Sequence, residues 1–176
     1  MIRPAVASDA EVLARIYDHY VLETPVTFEE EPVSAAEMAR RLAEVDAVPL
    51  PWLVVEDEGA VAGYAYASPW KRRVGYRFAV ETTVYLDPRR LGRGLGTRLY
   101  EELLLRLAQL GLRVAIGGVA LPNAASVALH EKLGFRKVAH FERVGLKFGR
   151  WIDVGYWQIA LGPATPREGA PAGERW

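Results

Sequence analysis

The feature that most constrains the fold is a glycine-rich turn that joins a strand to a helix. Residues 76–86 are rich in β-branched and aromatic side chains and predict a strand, which Asp87-Pro88 ends. Leucines recur at every fourth position from residue 95 to residue 107, so an amphipathic helix is predicted over residues 91–110, with Gly111 ending it. The turn carries three alternate glycines: Gly92, Gly94 and Gly96. Because the first N–H groups of a helix lack internal partners and meet the positive end of its dipole, this turn predicts an anion-binding site.

Capping boxes and turns predict the remaining elements. Ser8-Asp9-Ala10-Glu11 and Ser34-Ala35-Ala36-Glu37 each predict the start of a helix. The turn Asp57-Glu58-Gly59 between apolar residues 52–56 and 60–68 predicts a hairpin. Further strands are predicted at residues 2–6, 112–119, 136–144 and 151–161, with a short helix at residues 124–133 that Gly134 ends. The order β-α-α-β-β-β-α-β-α-β-β predicts an α/β fold with a mixed, mostly antiparallel twisted sheet flanked by helices.

Size and composition exclude several classes of protein. The chain has 176 residues, of which 51% are hydrophobic and 25% are charged, so we expect one globular domain over residues 1–161 and a Gly/Pro/Ala-rich tail over residues 162–176. Lysine plus arginine equals aspartate plus glutamate at 22, so binding to nucleic acid or to an anionic membrane is not expected. Cysteine is absent, no signal peptide or membrane span is visible, and no metal site is expected, which favours a cytoplasmic protein.

The glycine turn does not fit the two common nucleotide-binding loops. No Gly-Lys-Ser/Thr follows it, which excludes a P-loop. Its spacing and the lack of an acid between Glu102 and Glu131 exclude the dinucleotide fingerprint. Taken alone, the glycines are equally well explained as a flexible helix start that binds nothing.

The motif around this turn nevertheless resembles a known family. Arg89-x-x-Gly92-x-Gly94-Leu95-Gly96, after a strand that ends Val84-Tyr85-Leu86, resembles the acetyl-coenzyme A motif of the GNAT superfamily of N-acetyltransferases. NAAS at residues 123–126 and HEKLGF at residues 130–135 resemble its second motif. SPWKRR at residues 68–73, VETTVY at residues 80–85 and KFGRWIDVG at residues 147–155 resemble one branch, the phosphinothricin / methionine sulfoximine N-acetyltransferases.

The resemblance covers residues 1–161 and implies a function. It implies the GNAT fold, a homodimer, and acetyl-CoA as co-substrate without a metal. The reaction it implies is direct transfer of the acetyl group, in a ternary complex, to the α-amine of a small glutamate-like amino acid. Phosphinothricin, methionine sulfoximine and methionine sulfone are the candidate acceptors. Another amine, such as a polyamine or a protein N-terminus, and a non-catalytic acyl-CoA-binding module stay open as alternatives.

Two residues are candidates for proton transfer, because an α-amino group has a pKa of about 8 and must lose a proton before it reacts. Glu81 lies in an otherwise apolar strand and shares a face with Thr83 and Tyr85. That pattern alone favours an edge-strand glutamate that points to solvent, whereas the resemblance implies the general base. For His130 the resemblance implies either a proton donor to the leaving thiolate or a group that assists deprotonation, although a lone helix histidine is usually structural.

The resemblance also implies residues for the two substrates. It places an N–H near Val84 on the thioester oxygen, and the backbone of Tyr85 and Leu86 on the pantetheine amides. Further cofactor-binding residues implied are Gly92, Arg93, Gly94, Leu95, Gly96, Thr97, Asn123 and Ser126. The acceptor-binding residues implied are Phe28, Lys71, Arg72, Arg73, Tyr76, Thr83 and Val154.

Some of these residues have simpler explanations, and some positions depart from the family pattern. Asn123 and Ser126 are equally well explained as caps of a helix, and the basic run after Trp70 as a solvated loop. Ala120 stands where glycine is usual in the phosphinothricin enzymes, and Arg72 and Gly75 also differ, so the preferred acceptor stays open.

Overall fold

The structure, a computed structural model, describes residues 1–46 and 50–162. Its strands are β1 (Ile2–Pro4), β2 (Trp52–Asp57), β3 (Ala60–Pro69), β4 (Ala79–Leu86), β5 (Val114–Leu121), β6 (Arg136–Lys147) and β7 (Arg150–Ala160). Its helices are α1 (Ala10–Glu23), α2 (Ala35–Asp46), α3 (Leu95–Gln109) and α4 (Ala124–Lys132). The predicted order of elements is therefore confirmed. Within the described ranges, no helix is long and apolar enough to cross a membrane.

The strands form one sheet in the order β1-β2-β3-β4-β5-β7-β6. The central neighbours β4 and β5 are parallel, and the other neighbouring pairs are antiparallel. This agrees with the prediction of a mixed, mostly antiparallel sheet. The predicted tail begins at Gly162, and residues 163–176 lie outside the described residues.

A hydrophobic cluster packs against each face of the sheet. The leucine stripe of α3 lies on one face, where Leu99, Leu103 and Leu107 are fully buried against residues such as Val80 of β4. Helices α1 and α2 cover the other face and bury Tyr85 of β4. Alternate residues of β4 therefore belong to different clusters, as the two-residue period of a strand requires. Each buried leucine stabilises the fold by about 1.5–3 kcal/mol, so α3 is held firmly where its N-terminus meets β4.

The two predicted capping boxes have different outcomes. Ser34 caps α2, because its Oγ accepts a hydrogen bond from the N–H of Glu37 at 3.1 Å. The box predicted at Ser8 and Glu11 is wrong, since a 3₁₀ turn over Ala7–Asp9 precedes α1. There Asp9 accepts from the N–H of Val6 at 2.9 Å and from Arg3 of β1 at 2.7 Å. A charge-assisted hydrogen bond is about twice as strong as a neutral one, which favours Asp9 over Ser8.

Two predicted boundaries around β4 are also wrong. The strand begins at Ala79 rather than at residue 76, because Val74–Tyr76 form a 3₁₀ turn. Helix α3 begins at Leu95 rather than at residue 91, because Gly92 and Gly94 have φ values of 78° and 72°. These left-handed conformations are outside a helix and suit glycine.

Strand β6 runs past its predicted end at residue 144 to Lys147. Its register with β7 is irregular between Phe141 and Gly145. At this bulge Arg143 has a φ of 51°, and its N–H donates to Asp153 at 2.8 Å. The bulge interrupts the alternating pattern without ending the strand.

Candidate active site

Strands β4 and β5 separate in the middle of the sheet. β4 pairs with β3 from Val80 to Leu86, but within the described strands its pairing with β5 covers only three positions, from Ala79 to Glu81. At the point of separation, Oγ1 of Thr82 lies 3.2 Å from the carbonyl oxygen of Ile116. A gap therefore opens between two central strands.

The hydrogen-bond phase of β4 decides which backbone groups face this gap. Asp87 donates to Ala62 at 2.8 Å, and Ala79 accepts from Trp70 at 3.1 Å, so the odd-numbered residues of β4 turn their N–H and C=O toward β3. The N–H and C=O of Val84 and Leu86 therefore point toward the gap. Tyr20 donates its hydroxyl to the Leu86 carbonyl at 2.7 Å.

This hydrogen-bond pattern conflicts with the expectation that the backbone of Tyr85 binds a pantetheine amide. Its backbone faces β3, where it pairs with Tyr64. Its side chain is buried beside the rings of Tyr17 and Tyr20, with centroids 5.1 and 4.9 Å away. Only Val84 and Leu86, of the three residues predicted here, present backbone groups to the gap.

A cavity of about 270 Å³ lies at the gap. This volume is near the lower end for small-molecule pockets, which hold about 300–1,000 Å³. The lining comes from the α1–α2 connection, β4, β5, α4 and β7, and consists of Val26, Thr27, Phe28, Glu81, Thr82, Thr83, Val84, Tyr85, Gly118, Val119, Ala120, Asn123, Ser126, His130, Val154 and Tyr156. Three predicted acceptor residues, Phe28, Thr83 and Val154, are thus brought together with both predicted catalytic residues.

The Glu81 carboxyl is half-buried in this cavity. The expectation from the strand alone, an edge-strand side chain in solvent, is wrong because β4 is central in the sheet. Burial raises the pKa of Glu81, and the positive charge of Lys71 opposes this rise. The carboxyl is therefore a stronger base than an exposed glutamate.

Two adjacent glycines of β5 make room for the candidate catalytic groups. A Cβ on Gly117 would overlap Nε2 of His130, and a Cβ on Gly118 would lie 3.3 Å from Oε1 of Glu81 and 3.2 Å from the Tyr156 ring. Successive residues of a strand point to opposite faces. Glu81 and His130 therefore approach the gap from opposite faces of the sheet.

His130 is buried within a chain of hydrogen bonds. Its Nδ1 lies 2.7 Å from the carbonyl oxygen of Ser126, which can only accept, so Nδ1 carries the proton. Its Nε2 then accepts from the Tyr100 hydroxyl at 3.1 Å, and this hydroxyl lies 2.6 Å from Oγ1 of Thr82. Burial lowers the pKa of His130. The imidazole is therefore neutral at physiological pH.

Asn123 and Ser126 form the capped start of α4. Oδ1 of Asn123 accepts from the N–H of Ser126 at 3.0 Å, as the capping interpretation expects. Both residues also line the cavity, so contact with a ligand there stays a prediction.

The glycine turn is open to solvent beside the gap. A Cβ on Gly92 or Gly94 would meet nothing within 4 Å, and the first hydrogen bond of α3 runs from Arg98 to the Gly94 carbonyl at 3.2 Å. The N–H groups of Leu95, Gly96 and Thr97 precede that bond and therefore have no partner within the helix. The side chain of Leu95 is buried, so only its backbone N–H faces the turn.

Arg93 has other partners in this structure. Its guanidinium donates to Asp57, the last residue of β2, at 2.8 Å and to Glu58, in the turn that follows, at 3.2 Å. This hairpin turn therefore braces the glycine turn. To contact a phosphate, the guanidinium of Arg93 would have to leave these two carboxylates or bind the phosphate in addition to them.

The basic loop lies outside the cavity lining. Lys71, Arg72 and Arg73 are exposed, and Tyr76 is 45% exposed at the end of a 3₁₀ turn instead of at the start of β4. The Lys71 ammonium lies 4.7 Å from the centroid of the Trp70 ring. That ring packs edge-on against the cavity residue Tyr156 at 5.6 Å. The loop thus reaches the cavity through this aromatic pair.

Comparison with known proteins identifies the family. The profile described as the acetyltransferase (GNAT) domain matches residues 2–155. The chain belongs to this GNAT family. The GNAT resemblance and the predicted fold are thereby confirmed.

Several proteins similar to this GNAT chain are named as acetyltransferases of amino-acid analogues. It is 42% identical over 171 residues to a phosphinothricin N-acetyltransferase of Streptomyces viridochromogenes, covering 97% of this chain and 93% of the relative. It is 38% identical over 163 residues to an L-methionine sulfoximine/L-methionine sulfone acetyltransferase of Salmonella typhimurium, covering 91% and 94%. The crystal structure of a phosphinothricin acetyltransferase from Sinorhizobium meliloti in complex with AcCoA matches with a TM-score of 0.91 at 41% identity, covering 96% of this chain and 94% of that chain.

Sequence reasoning missed several residues that line this GNAT cavity or contact its lining residue His130. Tyr100 lies in the leucine stripe of α3 and gives no polar signal there, while Tyr156 has no motif of its own. A signal was present for Gly117 and Gly118, because glycines inside an apolar strand indicate close approach of another group. No group of three or more His, Asp or Glu residues in the described part of the chain can hold a metal ion.

Proposed function

We propose that this GNAT protein transfers the acetyl group of acetyl-CoA to the α-amine of a small glutamate- or methionine-derived amino acid, such as phosphinothricin, methionine sulfoximine or methionine sulfone. One observation carries the proposal above all. The Glu81 carboxyl, with a pKa raised by burial, lines a small cavity at the gap between β4 and β5. The names of the relatives support the acceptor class.

The open backbone of the gap and the glycine turn suits acetyl-CoA. Val84 and Leu86 direct backbone N–H and C=O groups into the gap, which fits amide groups of a linear ligand. The N–H groups at the start of α3, beside the open turn at Gly92 and Gly94, fit a pyrophosphate. When bound, acetyl-CoA supplies an acetyl thioester. We assign the remaining predicted cofactor residues, Arg93, Leu95, Gly96, Thr97, Asn123 and Ser126, to the same ligand.

Glu81 is proposed as the general base. It takes the proton from the acceptor ammonium, directly or through one water, because burial has raised its pKa toward that of the amine. The N–H of Val84 points into the gap, where it can donate to an oxygen that gains negative charge. No thiol can form a covalent acyl-enzyme because the chain has no cysteine, which supports direct transfer.

We assign His130 an accepting role. A neutral imidazole whose only proton is donated to Ser126 has no proton to give. Its Nε2 can receive a proton through the Tyr100 hydroxyl, so of the two roles implied by the resemblance we favour assistance in deprotonation. A pH–rate profile unchanged in His130→Ala would contradict this role.

The acceptor end of the cavity is proposed to recognise both the side chain and the charge of an amino acid. Phe28, Thr83 and Val154 form its wall. Lys71, Arg72, Arg73 and Tyr76 are proposed to meet the anionic groups at the mouth when an acceptor is bound, since arginine binds carboxylate and phosphinate groups in a bidentate way. A cavity of about 270 Å³ favours a small acceptor over a protein N-terminus.

A thiol-release assay tests the function. Acetyl-CoA is supplied with phosphinothricin, methionine sulfoximine, methionine sulfone, glutamate, spermidine and a short peptide, and free CoA thiol is measured. We expect turnover with the first three acceptors. Glu81→Gln should lower kcat by about 10²–10⁴-fold. Glu101→Gln, at an exposed position on α3, is the matched control.

Acetyl-CoA affinity, measured by calorimetry, should be the same in wild type and Glu81→Gln. Binding of acetyl-CoA without turnover on any acceptor would mean a non-catalytic binding module. Preferred turnover of spermidine or the peptide would mean another acceptor class.

We also propose that residues 1–161 form one cytoplasmic domain that associates as a homodimer and binds neither nucleic acid nor membrane. The net charge of zero supports the last point. The hairpin formed by the edge strand β6, the turn after it and β7 exposes large apolar side chains, with Leu146 50%, Phe148 58% and Trp151 63% exposed, which supports a second copy as partner. Light scattering should give twice the monomer mass, and Trp151→Ser should shift it toward the monomer.

A further inference from the structure

A lysine lies buried on β6 without an acidic partner. Lys147 is 1% exposed, and no carboxylate of the described residues lies within ion-pair distance of it. Burial lowers its pKa, and the charges of Glu30 and Glu29 oppose this. Because an unpaired buried ammonium is costly, its retention here needs compensating hydrogen bonds.

The compensation comes from backbone carbonyl groups. Nζ of Lys147 donates to the carbonyl of Thr27 at 2.7 Å and lies 3.5 Å from that of Tyr20. Tyr20 is in the last turn of α1, where the helix dipole favours a cation, and its carbonyl also accepts from Oγ1 of Thr24 at 2.8 Å. Lys147 therefore joins β6 to the end of α1 and to the segment that follows it.

That segment forms the acceptor wall of the cavity. Residues 24–30 connect α1 toward α2 and supply Val26, Thr27 and Phe28 to the lining. The hydrogen bond from Lys147 is made to the backbone in the middle of these three residues. Lys147 therefore contacts the backbone of the cavity wall directly.

A second contact from the same face of β6 supports the segment. Gly145 and Lys147 are two residues apart in a regular part of the β6–β7 pairing, so they face the same side. A Cβ on Gly145 would overlap the ring of Phe28. The Phe28 ring therefore rests on the bare backbone of Gly145 while Lys147 holds the carbonyl next to it in sequence.

The opposite side of the segment is held by α1 and α2. The Tyr17 hydroxyl lies 2.7 Å from Oγ1 of Thr27 and donates to Glu29 at 2.9 Å. Arg41 of α2 donates to Glu29 at 2.8 Å. The helices thus hold Thr27 through its hydroxyl, and β6 holds it through its carbonyl. The separation between the helices and β6 therefore sets the position of the cavity wall at Thr27.

We propose that Lys147 is a positioning residue that sets the width of the acceptor end of the cavity. By holding the Thr27 carbonyl it keeps Phe28 on Gly145, and so selects acceptors by the size of their side chain. It leaves the acetyl-CoA end, at Val84 and the glycine turn, unaffected. This inference rests on the proposed function.

Two substitutions at Lys147 test the proposal. Lys147→Met keeps length and removes the donors, whereas Lys147→Arg keeps donors. We expect Lys147→Met to raise KM for the acceptor by about tenfold, the effect of one lost charged hydrogen bond. We expect kcat and acetyl-CoA affinity to change less than twofold, and the preference among the panel acceptors to weaken. Lys147→Arg should recover part of the loss.

Lys137→Met is the matched control, because Lys137 is an exposed lysine on the same strand. Hydrogen exchange of residues 24–30 provides a readout without activity, and it should quicken in Lys147→Met alone. If that variant does not fold, Gly145→Ala replaces it, since the added methyl displaces Phe28 with Lys147 intact. Its acceptor KM should rise similarly.

Wild-type acceptor KM and exchange in Lys147→Met, or in Gly145→Ala if it replaces that variant, would overturn the proposal. An equal loss of acetyl-CoA affinity would also overturn it, because a general structural defect would then explain the result. If the wild type acetylates no amino acid, the proposed function fails and the acceptor role fails with it. The exchange measurement still decides whether Lys147 holds the segment.

Discussion

At the residue scale, the site depends on how far one carboxyl group is removed from water. Glu81 is half-buried beside Gly118, and this burial raises its pKa above the ordinary value of 4.5, while Lys71 limits the rise. Full burial without a cation would keep the group protonated at neutral pH and useless as a base. Partial burial close to Lys71 makes the carboxyl more basic than that of a surface glutamate.

The pH dependence of the reaction should report this environment. A base works in its deprotonated form, so kcat/KM should rise with pH through the raised pKa of Glu81, with a midpoint above 4.5. Lys71→Met should move this midpoint upward, because it removes the charge that opposes the rise. Steady-state rates from pH 4 to 8 at low acceptor concentration measure both midpoints. A midpoint at or below 4.5 in the wild type would contradict the role of Glu81.

Sequence and structure contribute differently at this scale. The local glycine pattern predicts the turn at Gly92 and Gly94, whereas Glu81 is predicted as a base only through the family resemblance, because the strand pattern alone favours a solvent-exposed glutamate. The pairing of Tyr100 with His130 was not identified, because the residues are 30 positions apart and meet only when α3 and α4 pack together. Tyr76 was misplaced because its side chain is typical of a strand, whereas its backbone forms a 3₁₀ turn.

At the element scale, the turn between β4 and α3 determines where helix α3 begins. The backbone turns through two left-handed glycines before α3 starts at Leu95. The turn is further held by the hairpin between β2 and β3, since Arg90 and Arg93 each donate to Asp57 at 2.8 Å. The sequence predicted the helix but placed its start too early, because leucine periodicity does not record the φ value of a glycine.

Gly94→Ala should disturb both stability and ligand binding. The N-cap of α3 has a φ of 72°, and an L-residue in this conformation costs about 1–2 kcal/mol. We expect a loss of that size in the free energy of unfolding, measured with urea, and a weaker acetyl-CoA affinity, measured by calorimetry. Gly111→Ala, at another left-handed glycine with φ of 78° beyond the opposite end of α3, is the control for strain away from the turn. An unchanged acetyl-CoA affinity in Gly94→Ala would argue against a ligand at this turn.

At the scale of the whole molecule, two buried aspartates, Asp9 and Asp87, make the stability of the fold depend on pH through their ion pairs with arginines. Arg3 of β1 donates to Asp9 at 2.7 Å and to Glu56 of β2 at 2.8 Å, and Arg89 donates to Asp87 at 2.6 Å. These hydrogen bonds lower the pKa of Asp9 and of Asp87 below the ordinary value of 3.8. The stability that such carboxylates contribute is present above pH 3.8 and is lost as the pH falls through their folded-state pKa values.

Acid should therefore destabilise the fold through these groups. The free energy of unfolding should begin to decrease below pH 6.5, where the unfolded chain takes up a proton on His130 more readily than the fold does, and should decrease further below pH 3.8. Asp9→Asn should lower it by about 1–3 kcal/mol at neutral pH, with the difference shrinking in acid. Urea unfolding followed by circular dichroism at several pH values measures the difference. Glu81 works in the opposite sense, because a raised pKa stabilises the protonated form and its contribution is lost as pH rises.

The gap between β4 and β5 also affects the stability of the sheet. Because the described parts of β4 and β5 pair at only three positions, the middle of the sheet lacks some of the backbone hydrogen bonds that usually join neighbouring strands. In the proposed complex, the amide groups of acetyl-CoA replace the hydrogen bonds that are absent between β4 and β5. Saturation with acetyl-CoA should raise the melting temperature and slow amide exchange at Val84 and Leu86. In the proposed complex, the bound co-substrate thus completes the backbone hydrogen bonding of the central sheet.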